Sequence, residues 1–238
     1  MKDAKILIVV PAFNEGGNVG RVVSELCALP FKVTVLVIDD GSTDTTAVEA
    51  QRAGALVSSL PFNIGIGGAV QTGFQYAFDH GYEAAVQVDG DGQHDVSFIV
   101  KLLEPILKKE ADMVIGSRFL PPFVSYRSSL IRRAGIHFFA RLISFLTGYK
   151  VTDPTSGFRA VNRALVSKFI SEYPHDFPEP EAIMVARRFQ ARVIEIPVQM
   201  RKRTLGHSSI RYLRTLYYMI KVTFAILLNM LKPKGRLA

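Results

Sequence analysis

The stretch KVTVLVIDDGSTDTTAVEAQRAG, residues 32–54, joins an apolar run to a polar turn and then to an amphipathic run. The apolar part is rich in Val and has the length of one buried strand of a parallel sheet. The last part has the composition of a helix, and Ser42 or Asp44 is placed to cap its start. The stretch therefore predicts one strand–turn–helix unit.

The same unit recurs on both sides of this stretch. Apolar runs predict four further strands, at 4–13, 55–61, 83–89 and 111–119. Helical patterns follow the first three of these strands, at 17–29, 67–81 and 96–110. Alternation of strand and helix predicts an α/β fold with a mostly parallel sheet flanked by helices. Ligands of such sheets bind beyond the carboxyl ends of the strands.

The second half of the chain is less regular. It predicts helices at 128–148 and 178–190, short strands within 152–163 and 191–201, and a long helix from His207. The chain has no internal repeat and no low-complexity linker. We therefore expect one domain over residues 1–206, followed by a basic C-terminal segment over 207–238.

The composition suits a folded domain in a reducing compartment. The chain has 238 residues, of which 48% are hydrophobic, and this is enough for a sizeable core. Its single cysteine, Cys27, excludes an intrachain disulfide. The apolar run near the N-terminus is broken by Pro11, so it predicts a strand rather than a signal peptide or a membrane span.

The net charge of +8 is unevenly distributed along the chain. Residues 201–238 contain nine Lys or Arg and no Asp or Glu, and residues 113–152 contain six basic residues and no acidic ones. In both stretches the basic residues alternate with Phe, Leu, Ile and Tyr. This mixture favours an anionic membrane surface over a nucleic acid as the partner.

Asp89 and Asp91 lie in VDGDGQHD, residues 88–95, directly after a predicted strand. Neighbouring carboxylates repel each other unless a cation is present. An acidic surface turn is one interpretation. An EF-hand calcium loop is excluded, because its glycine position is His94 and its twelfth position is Val100. A third interpretation is a hard divalent cation shared with a phosphate ligand, to which Gln93 or His94 adds a ligand.

Polar residues also follow the other predicted strands. They are Asn14 and Glu15 after the first, Asp39 and Asp40 after the second, and Ser117 and Arg118 after the fifth. We expect them to meet at one edge of the sheet. The stretch NIGIGGAVQTG, residues 63–73, does not fit a dinucleotide fingerprint, because Val70 replaces the third glycine. Its glycines, Gly67 among them, still predict a close approach of a nucleotide or sugar to the backbone.

Six motifs together resemble glycosyltransferase family 2. They are VVPAFNEGGNV (9–19), VIDDGSTDTT (37–46), NIGIGGAVQTG (63–73), VDGDGQHD (88–95), GSRF (116–119) and DPTSGFRA (153–160). The most similar branch is that of the polyprenyl-phosphate glycosyltransferases, which resemble dolichyl-phosphate-mannose synthase. The resemblance spans residues 6 to 210. It implies a GT-A fold, a nucleotide-sugar donor and a divalent metal, Mg²⁺ or Mn²⁺.

The resemblance also implies the residues of the donor site. The nucleotide pocket is expected to contain Pro11, Asn14 and Glu15, with Asp40 near the base or ribose. Asp89 and Asp91 are the pair that binds the metal and the donor diphosphate, with Gln93 as a candidate further ligand. Arg201 or Arg203 belongs to a basic loop, RKRTLGHSS, that can close over the diphosphate.

The acceptor side is implied in the same way. Arg118, together with Arg132 or Arg133, is expected to bind the acceptor phosphate. Asp153 is expected near the transferred sugar. Glu181 matches the family's Gln-x-Glu position, where Glu179 replaces the Gln.

These residues predict a metal-dependent, inverting transfer of a sugar to a polyprenyl phosphate, with UDP-sugars slightly preferred over GDP-sugars as donors. Undecaprenyl and dolichyl phosphates are the expected acceptors. A phosphate monoester has a second pKa of about 6, so it is already an anion near pH 7 and can attack directly. A sugar hydroxyl of a lipid-linked glycan is the alternative acceptor, and it requires a base such as Asp153 or Glu181. A nucleotide- or nucleic-acid-binding module is a second alternative, which the apolar content of the C-terminal segment disfavours.

The C-terminal segment predicts an amphipathic helix. Its apolar residues recur at helical spacing, at Leu213, Leu216, Tyr217, Ile220, Phe224, Leu228 and Leu231. Arg214, Lys221 and Asn229 fall on another face. The longest uncharged run, 222–231, has ten residues, whereas a membrane span needs about 20. We therefore expect an interfacial helix at the cytoplasmic membrane face, in a peripheral or monotopic protein. Packing on a homo-oligomeric or small membrane partner is the alternative.

Overall fold

The computed structural model describes residues 4–123, 130–201 and 212–237, with side chains from residue 133 in the fifth helix and from residue 219 in the last. The strands are β1 Ile6–Ala12, β2 Thr34–Asp39, β3 Leu56–Ser59, β4 Ala84–Gln87, β5 Met113–Ser117, β6 Arg159–Asn162 and β7 Val193–Pro197. The helices are α1 Val19–Cys27, α2 Thr46–Arg52, α3 Gly65–Asp79, α4 Ile99–Leu107, α5 Leu130–Thr147, α6 Arg163–Glu172, α7 Pro178–Arg188 and α8 Tyr212–Leu231. A short 3₁₀ turn, Val96–Phe98, leads into α4.

The predicted α/β fold is confirmed, and every strand and helix expected from the sequence is present, with the expected start of the last helix, His207, outside the described residues. The sequence analysis missed α6. This helix begins directly after β6, where the Asn162 side chain accepts a hydrogen bond from the backbone N–H of Leu165. Asn is a favoured N-cap residue, and buried Leu165, Val166 and Phe169 supply the helical spacing that follows it. The signal for α6 was therefore present in the sequence.

The sheet has the strand order β3-β2-β1-β4-β6-β5-β7. The pairs β1–β2, β2–β3, β1–β4 and β5–β7 are parallel, whereas β6 runs antiparallel to both of its neighbours. Arg159, at the start of β6, therefore pairs with Gln87 near the end of β4 and with Ile115 in β5. The loop that leads into β6 consequently lies at the carboxyl edge of the parallel strands.

Helices cover both faces of this sheet. All seven residues of β1 are buried, and they alternate between two apolar clusters. Leu7 and Val9 face the cluster that contains side chains of α3, α5, α6, α7 and α8. Ile6, Ile8 and Val10 face the cluster that contains side chains of α1, α2 and α4.

One face of α8 belongs to the core. Val222 and Ile226 are fully buried. Asn229, which the sequence places on another face than the apolar stripe, is 6% exposed, because its amide contacts Glu181 and Arg188 on α7 at 3.4 and 3.5 Å. After α8 the chain returns to the end of α7, where the N–H of Gly235 donates to the carbonyl of Arg188 at 3.0 Å. The division at residues 206 and 207 stays a prediction, but α8 shares the core of the preceding elements.

The other face of α8 carries the predicted apolar stripe. In its described part, Ile220, Phe224, Leu228 and Leu231 are 52%, 63%, 59% and 83% exposed. The side chains of Leu213, Arg214, Leu216 and Tyr217 lie outside the described residues. None of the described helices combines the length and the apolarity that crossing a bilayer requires.

Candidate active site

The loops after β1 and β2 are bound to each other at the carboxyl edge of the sheet. The backbone N–H of Asn14 donates to Ser42 Oγ, and the N–H of Thr43 donates to Asn14 Oδ1, both at 2.9 Å. The N–H of Glu15 donates to Thr46 Oγ1 at 2.9 Å. Asn14 adopts a φ of 53°, which Asn tolerates better than most residues. Two residues expected in the nucleotide pocket thus lie in a well-anchored double loop.

The carboxylate of Asp40 holds the start of α3. Its Oδ1 accepts from the N–H of Ile64 at 2.8 Å, and its Oδ2 accepts from the N–H of Gly65 at 3.0 Å. The residue is 3% exposed. A carboxylate is stabilised at this position because the first amides of a helix lack intrahelical acceptors. The contact of Asp40 with a base or ribose stays a prediction.

Gly67 permits a close approach, and the approaching group is the chain itself. A Cβ at this position would lie 2.3 Å from the carbonyl oxygens of both Pro174 and His175. This contact packs the first turn of α3 against the segment between α6 and α7. This packing is a sufficient reason for a glycine at position 67. The contact of Gly67 with a nucleotide stays a prediction.

Asp89 is held at the centre of the edge by its neighbours. Gln87 Nε2 donates to Asp89 Oδ1 at 3.3 Å, and the N–H of Asp89 donates to His94 Nδ1 at 3.0 Å. His94 is 3% exposed and stacks on Phe158 with ring centroids 4.7 Å apart. His94 therefore supports the backbone of Asp89 from below. The side chain of Asp89 is 36% exposed, so its carboxylate reaches the solvent.

Asp91 lies two residues further along the same turn. Its Oδ1 accepts from the N–H of Gln93 at 3.0 Å. Pro11, which was expected in the nucleotide pocket, lies against this turn, because its carbonyl accepts from the N–H of Gly90 at 3.4 Å. The acidic turn and the end of β1 are thus in contact.

The acidic turn suits a hard divalent cation. Within the described ranges, no three His, Cys, Asp or Glu side chains are grouped so that they could hold a metal by themselves. Two carboxylates at a solvent-accessible edge are enough for Mg²⁺ or Mn²⁺, because such ions keep waters and take phosphate oxygens as further ligands. Asp89 and Asp91 therefore fit the metal that the resemblance implies.

Gly157 brings the loop before β6 against this turn. A Cβ on Gly157 would lie 2.9 Å from Gln87 Nε2 and 3.1 Å from Asp89 Oδ1. A side chain at this position would displace the side chains of Gln87 and Asp89. The segment 153–157 therefore lies beside the acidic turn.

Arg118 and Asp153, which were predicted in separate roles, form a buried ion pair. Arg118 Nε and Nη2 donate to the two carboxylate oxygens of Asp153, both at 2.6 Å. Nη2 also donates to Thr155 Oγ1 at 2.7 Å. The two side chains are 6% and 0% exposed. The structure thus brings these residues together beside the acidic turn, and their roles toward acceptor and sugar stay predictions.

Glu195 anchors the same loop from β7. Its Oε1 accepts from the backbone N–H groups of Thr152 and Asp153, both at 2.9 Å. Burial raises the pKa of Glu195, although these hydrogen bonds oppose the change. The loop that carries Asp153 is therefore fixed from two sides.

Arg159 lies beneath the site and was missed by the sequence analysis. The residue is 3% exposed. Its Nε donates to the carbonyl of Ser156 at 2.6 Å, and its Nη2 donates to the carbonyl of Pro154 at 3.0 Å. Burial lowers the pKa of Arg159, and negative groups that include Glu179 oppose this. The signal in the sequence was an arginine within a predicted strand.

Glu179, rather than Glu181, shares the electrostatic environment of this edge. Burial raises the pKa of Glu179, Asp89 raises it further, and Arg159 and Arg118 lower it. Pro178 begins α7, so Glu179 lies in the first turn of that helix. The sequence analysis named Glu179 only as a departure from a motif.

Glu181 faces α8 instead. Its Oε2 accepts from Asn229 Nδ2 at 3.4 Å. Burial raises the pKa of Glu181 and Asp176 adds to this, while Lys232 and Lys221 oppose it. The described contact of Glu181 is thus to α8, and its catalytic role stays a prediction.

The predicted basic residues have separate positions. The N–H of Arg201 donates to the carbonyl of Gln93 at 2.8 Å, so the basic loop begins beside the acidic turn. The guanidinium of Arg201, however, pairs with Glu25 at 2.5 Å and with Asp95 at 3.0 Å. Its contact with a donor diphosphate stays a prediction. Arg133 is partly buried on α5, whereas Arg203 and the side chain of Arg132 lie outside the described residues.

Comparisons with known proteins agree with this geometry. A sequence profile described as Glycosyl transferase family 2 matches residues 7–170. The chain is 30% identical over 217 residues to the undecaprenyl-phosphate mannosyltransferase of Micrococcus luteus. The alignment covers 86% of this chain and 86% of that protein. It is also 28% identical over 218 residues to the UDP-N-acetylglucosamine–dolichyl-phosphate N-acetylglucosaminyltransferase of Methanococcus voltae. That alignment covers 84% of this chain and 86% of that protein.

A solved structure shares the fold. It is the glucosyl-3-phosphoglycerate synthase of Mycobacterium tuberculosis in complex with Mn²⁺, UDP-glucose and phosphoglyceric acid. The TM-score is 0.71 at 23% identity, over 95% of this chain and 79% of that chain. This likeness shows that the sheet and its flanking helices form a fold of the GT-A type.

Proposed function

Because the chain belongs to glycosyl transferase family 2 and is therefore a glycosyltransferase, we propose that it moves a sugar from a nucleoside diphosphate to a polyprenyl phosphate. The proposed transfer inverts the anomeric centre and takes place at the cytoplasmic face of a membrane. The observation that carries the proposal is the contact between the acidic turn and the segment 153–157, which joins Asp89 and Asp91 to the buried Arg118–Asp153 pair.

On the donor side, the support comes from the acidic turn. Asp89 is held by Gln87 and His94 with its carboxylate partly exposed, so it is oriented before a ligand binds. Mg²⁺ or Mn²⁺ held by Asp89 and Asp91, with Gln93 as a candidate further ligand, supplies positive charge to the departing nucleoside diphosphate. The uridine nucleotides named for one relative and for the structural neighbour support a UDP-sugar.

On the acceptor side, the support comes from the two groups that a hydroxyl acceptor would use as a base. Both oxygens of Asp153 accept from Arg118 and its side chain is 0% exposed, so a hydroxyl acceptor would have to disrupt that pair to reach it. Glu181 faces α8. A phosphate acceptor needs neither base, because it is already an anion near pH 7. The names of the two relatives, which act on undecaprenyl and dolichyl phosphates, point to the same acceptor class.

The test is product analysis with purified protein. UDP-, GDP- and dTDP-sugars are supplied with Mg²⁺ or Mn²⁺ and with undecaprenyl phosphate as the sole acceptor. We expect a sugar–phosphate–lipid product whose anomeric configuration is opposite to that of the donor. A product that appears only with a lipid-linked glycan would instead assign a sugar hydroxyl as the acceptor.

The matched variants for this assay are Asp91→Asn and Asp79→Asn. Asp91→Asn is nearly isosteric but removes an anionic ligand, so we expect a normal melting temperature and no turnover. Asp79 is exposed at the end of α3 and accepts from Gln75 at 2.9 Å, so Asp79→Asn should behave as wild type. Wild-type turnover by Asp91→Asn under limiting metal would remove the metal assignment.

A further inference from the structure

We propose that Glu195 of β7 is a positioning residue of the candidate active site. It acts through the backbone of Thr152 and Asp153 and thereby holds the Arg118–Asp153 pair in place. The sequence analysis gave Glu195 no role. The inference deepens the proposed function, on which it rests for the role of Arg118 toward the acceptor phosphate.

Glu195 contacts a part of the chain that is not its neighbour in the sheet. Residues 148–158 join α5 to β6, and we call them the α5–β6 segment. Because β5 separates β7 from β6 in the sheet, a contact between Glu195 and this segment spans the carboxyl end of β5. Ser117, the last residue of β5, lies at this point, with its Oγ 2.6 Å from Thr152 Oγ1. Glu195 therefore joins the ends of β5 and β7 to the segment that carries Asp153.

Both carboxylate oxygens of Glu195 accept from the α5–β6 segment. Oε1 accepts from the N–H groups of Thr152 and Asp153, both at 2.9 Å. Oε2 accepts from the N–H of Thr152 at 2.9 Å and from its hydroxyl at 2.5 Å. An ionised carboxylate is an acceptor at both oxygens and suits this set of donors. Two consecutive backbone amides are therefore held by one side chain from β7.

The position of Asp153 in turn fixes Arg118. The backbone N–H of Arg118 donates to Asp153 Oδ2 at 3.1 Å, and the guanidinium donates to both carboxylate oxygens at 2.6 Å. One carboxylate, which is 0% exposed, thus holds Arg118 at its backbone and at its side chain. A shift of the backbone at Asp153 would therefore reach the guanidinium of Arg118 through this buried pair.

A chain of hydroxyl groups adds a second path from Glu195 to the end of β5. Because the hydroxyl proton of Thr152 is donated to Glu195 Oε2, Ser117 is the donor in its contact with Thr152 Oγ1. Ser117 Oγ also accepts from the N–H of Phe119 at 3.2 Å. The chain therefore leads from Glu195 to the backbone directly after Arg118.

A separate group supports the other end of the α5–β6 segment. Arg159 donates to the backbone carbonyls at positions 154 and 156, at 3.0 and 2.6 Å. These carbonyls come just before Gly157, which lies beside Asp89. Loss of Glu195 should therefore displace the Asp153 end of the segment more than the Gly157 end. Acceptor binding should suffer more than donor binding at the acidic turn.

The first experiment measures kinetics with undecaprenyl phosphate and binding of UDP with Mn²⁺. Glu195→Ala leaves two backbone amides without their acceptor, so the KM for the lipid phosphate should rise at least about tenfold. The Kd of UDP with Mn²⁺ should change less than about twofold, because the acidic turn keeps its own supports. Glu195→Gln keeps one oxygen for both amides, so its KM should rise less than about threefold. Glu110→Ala, at an exposed position after α4, is the matched control and should behave as wild type.

A merely structural role of Glu195 would give a different pattern. Thermal unfolding sets a temperature at which every variant is folded, and the kinetics are measured there. A folded Glu195→Ala that keeps the wild-type KM for the lipid phosphate would overturn the proposal. Equal losses toward UDP and the lipid phosphate would also overturn it, and so would a Glu195→Gln that is no better than Glu195→Ala.

The second experiment observes Arg118 without any substrate. Its Nε–H donates to Asp153 Oδ2 at 2.6 Å, so it should give a slowly exchanging ¹H–¹⁵N signal, which its loss in Arg118→Lys assigns. The signal should exchange at least about tenfold faster in Glu195→Ala and should persist in Glu195→Gln and Glu110→Ala. An unchanged signal in Glu195→Ala would overturn the link from Glu195 to Arg118.

The two measurements separate failure of this inference from failure of the proposed function. If the Arg118 signal changes in Glu195→Ala but the wild type uses no polyprenyl phosphate, the positioning of Arg118 stands and the proposed acceptor falls. If the wild type uses polyprenyl phosphate but Glu195→Ala alters neither the signal nor the KM, the proposed function stands and the role of Glu195 falls.

Discussion

Arg118→Ala should destabilise the protein much more than a typical surface substitution. The guanidinium donates hydrogen bonds to both carboxylate oxygens of Asp153 and to the hydroxyl of Thr155. The variant leaves the carboxylate of Asp153, which is 0% exposed, without its cation. Breaking a buried pair in this way costs about 3–5 kcal/mol. For a domain of this size, 1 kcal/mol shifts the melting temperature by about 2–4 °C, so we expect a fall of about 6–20 °C.

The assay is urea unfolding at pH 7 together with thermal unfolding. Arg52→Ala, at an exposed position on α2, is the matched control and should change the free energy of unfolding by less than about 0.5 kcal/mol. Adding Asp153→Asn to Arg118→Ala removes the buried charge and should restore part of the loss, so the double-mutant cycle should give a clear coupling energy. A loss below about 1 kcal/mol, or a coupling energy near zero, would refute the reasoning from the buried pair. Acceptor use by Arg118 variants is then interpretable only at temperatures where the variant is folded.

Two further predictions follow from the geometry. Gly67→Ala should destabilise the fold by about 1–3 kcal/mol in chemical unfolding, because a Cβ 2.3 Å from two backbone carbonyl oxygens forces the backbone to move. Gly20→Ala is the control. Its Cβ would meet its nearest atom at 3.7 Å, so this variant should be neutral or stabilising. Equal stabilities for the two variants would contradict the close approach at Gly67. Glu181→Gln should be more stable than wild type at pH 8, with the difference vanishing below about pH 4. The reason is that the raised pKa of Glu181 makes its charged form costly in the folded state, and the stability of the protonated form is lost as the pH rises through that pKa. A stability difference that does not change with pH would contradict this, and loss of turnover in a stable Glu181→Gln would support the catalytic role expected from the sequence.

The strands and most helices were predictable because the spacing of apolar residues and the identity of turn residues are local properties of the sequence. The pairing of Arg118 with Asp153 was not, because it depends on β6 running against its neighbours, and strand direction leaves no local signal. The different surroundings of Glu179 and Glu181 have a similar origin. Successive residues of a helix are rotated by about 100°, so these two side chains leave α7 on different sides, and which side meets the site depends on the packing of α7. The burial of Asn229 was not predictable either, because its hydrogen-bond partners, Glu181 and Arg188, lie on a different helix.

The integration of α8 into the core has a consequence for synthesis of the protein. The apolar cluster that contains Leu7 and Val9 of β1 also contains Val222 and Ile226 of α8, and Leu237 packs against it. These C-terminal residues leave the ribosome after all other described elements. At about 5–20 residues per second, the residues from 212 onward take about 1–5 s to make. During that interval the nascent chain carries an unfilled apolar face. Chains that stop between β7 and Val222 keep this face open, so we expect them to aggregate rather than to accumulate as a soluble, shortened enzyme.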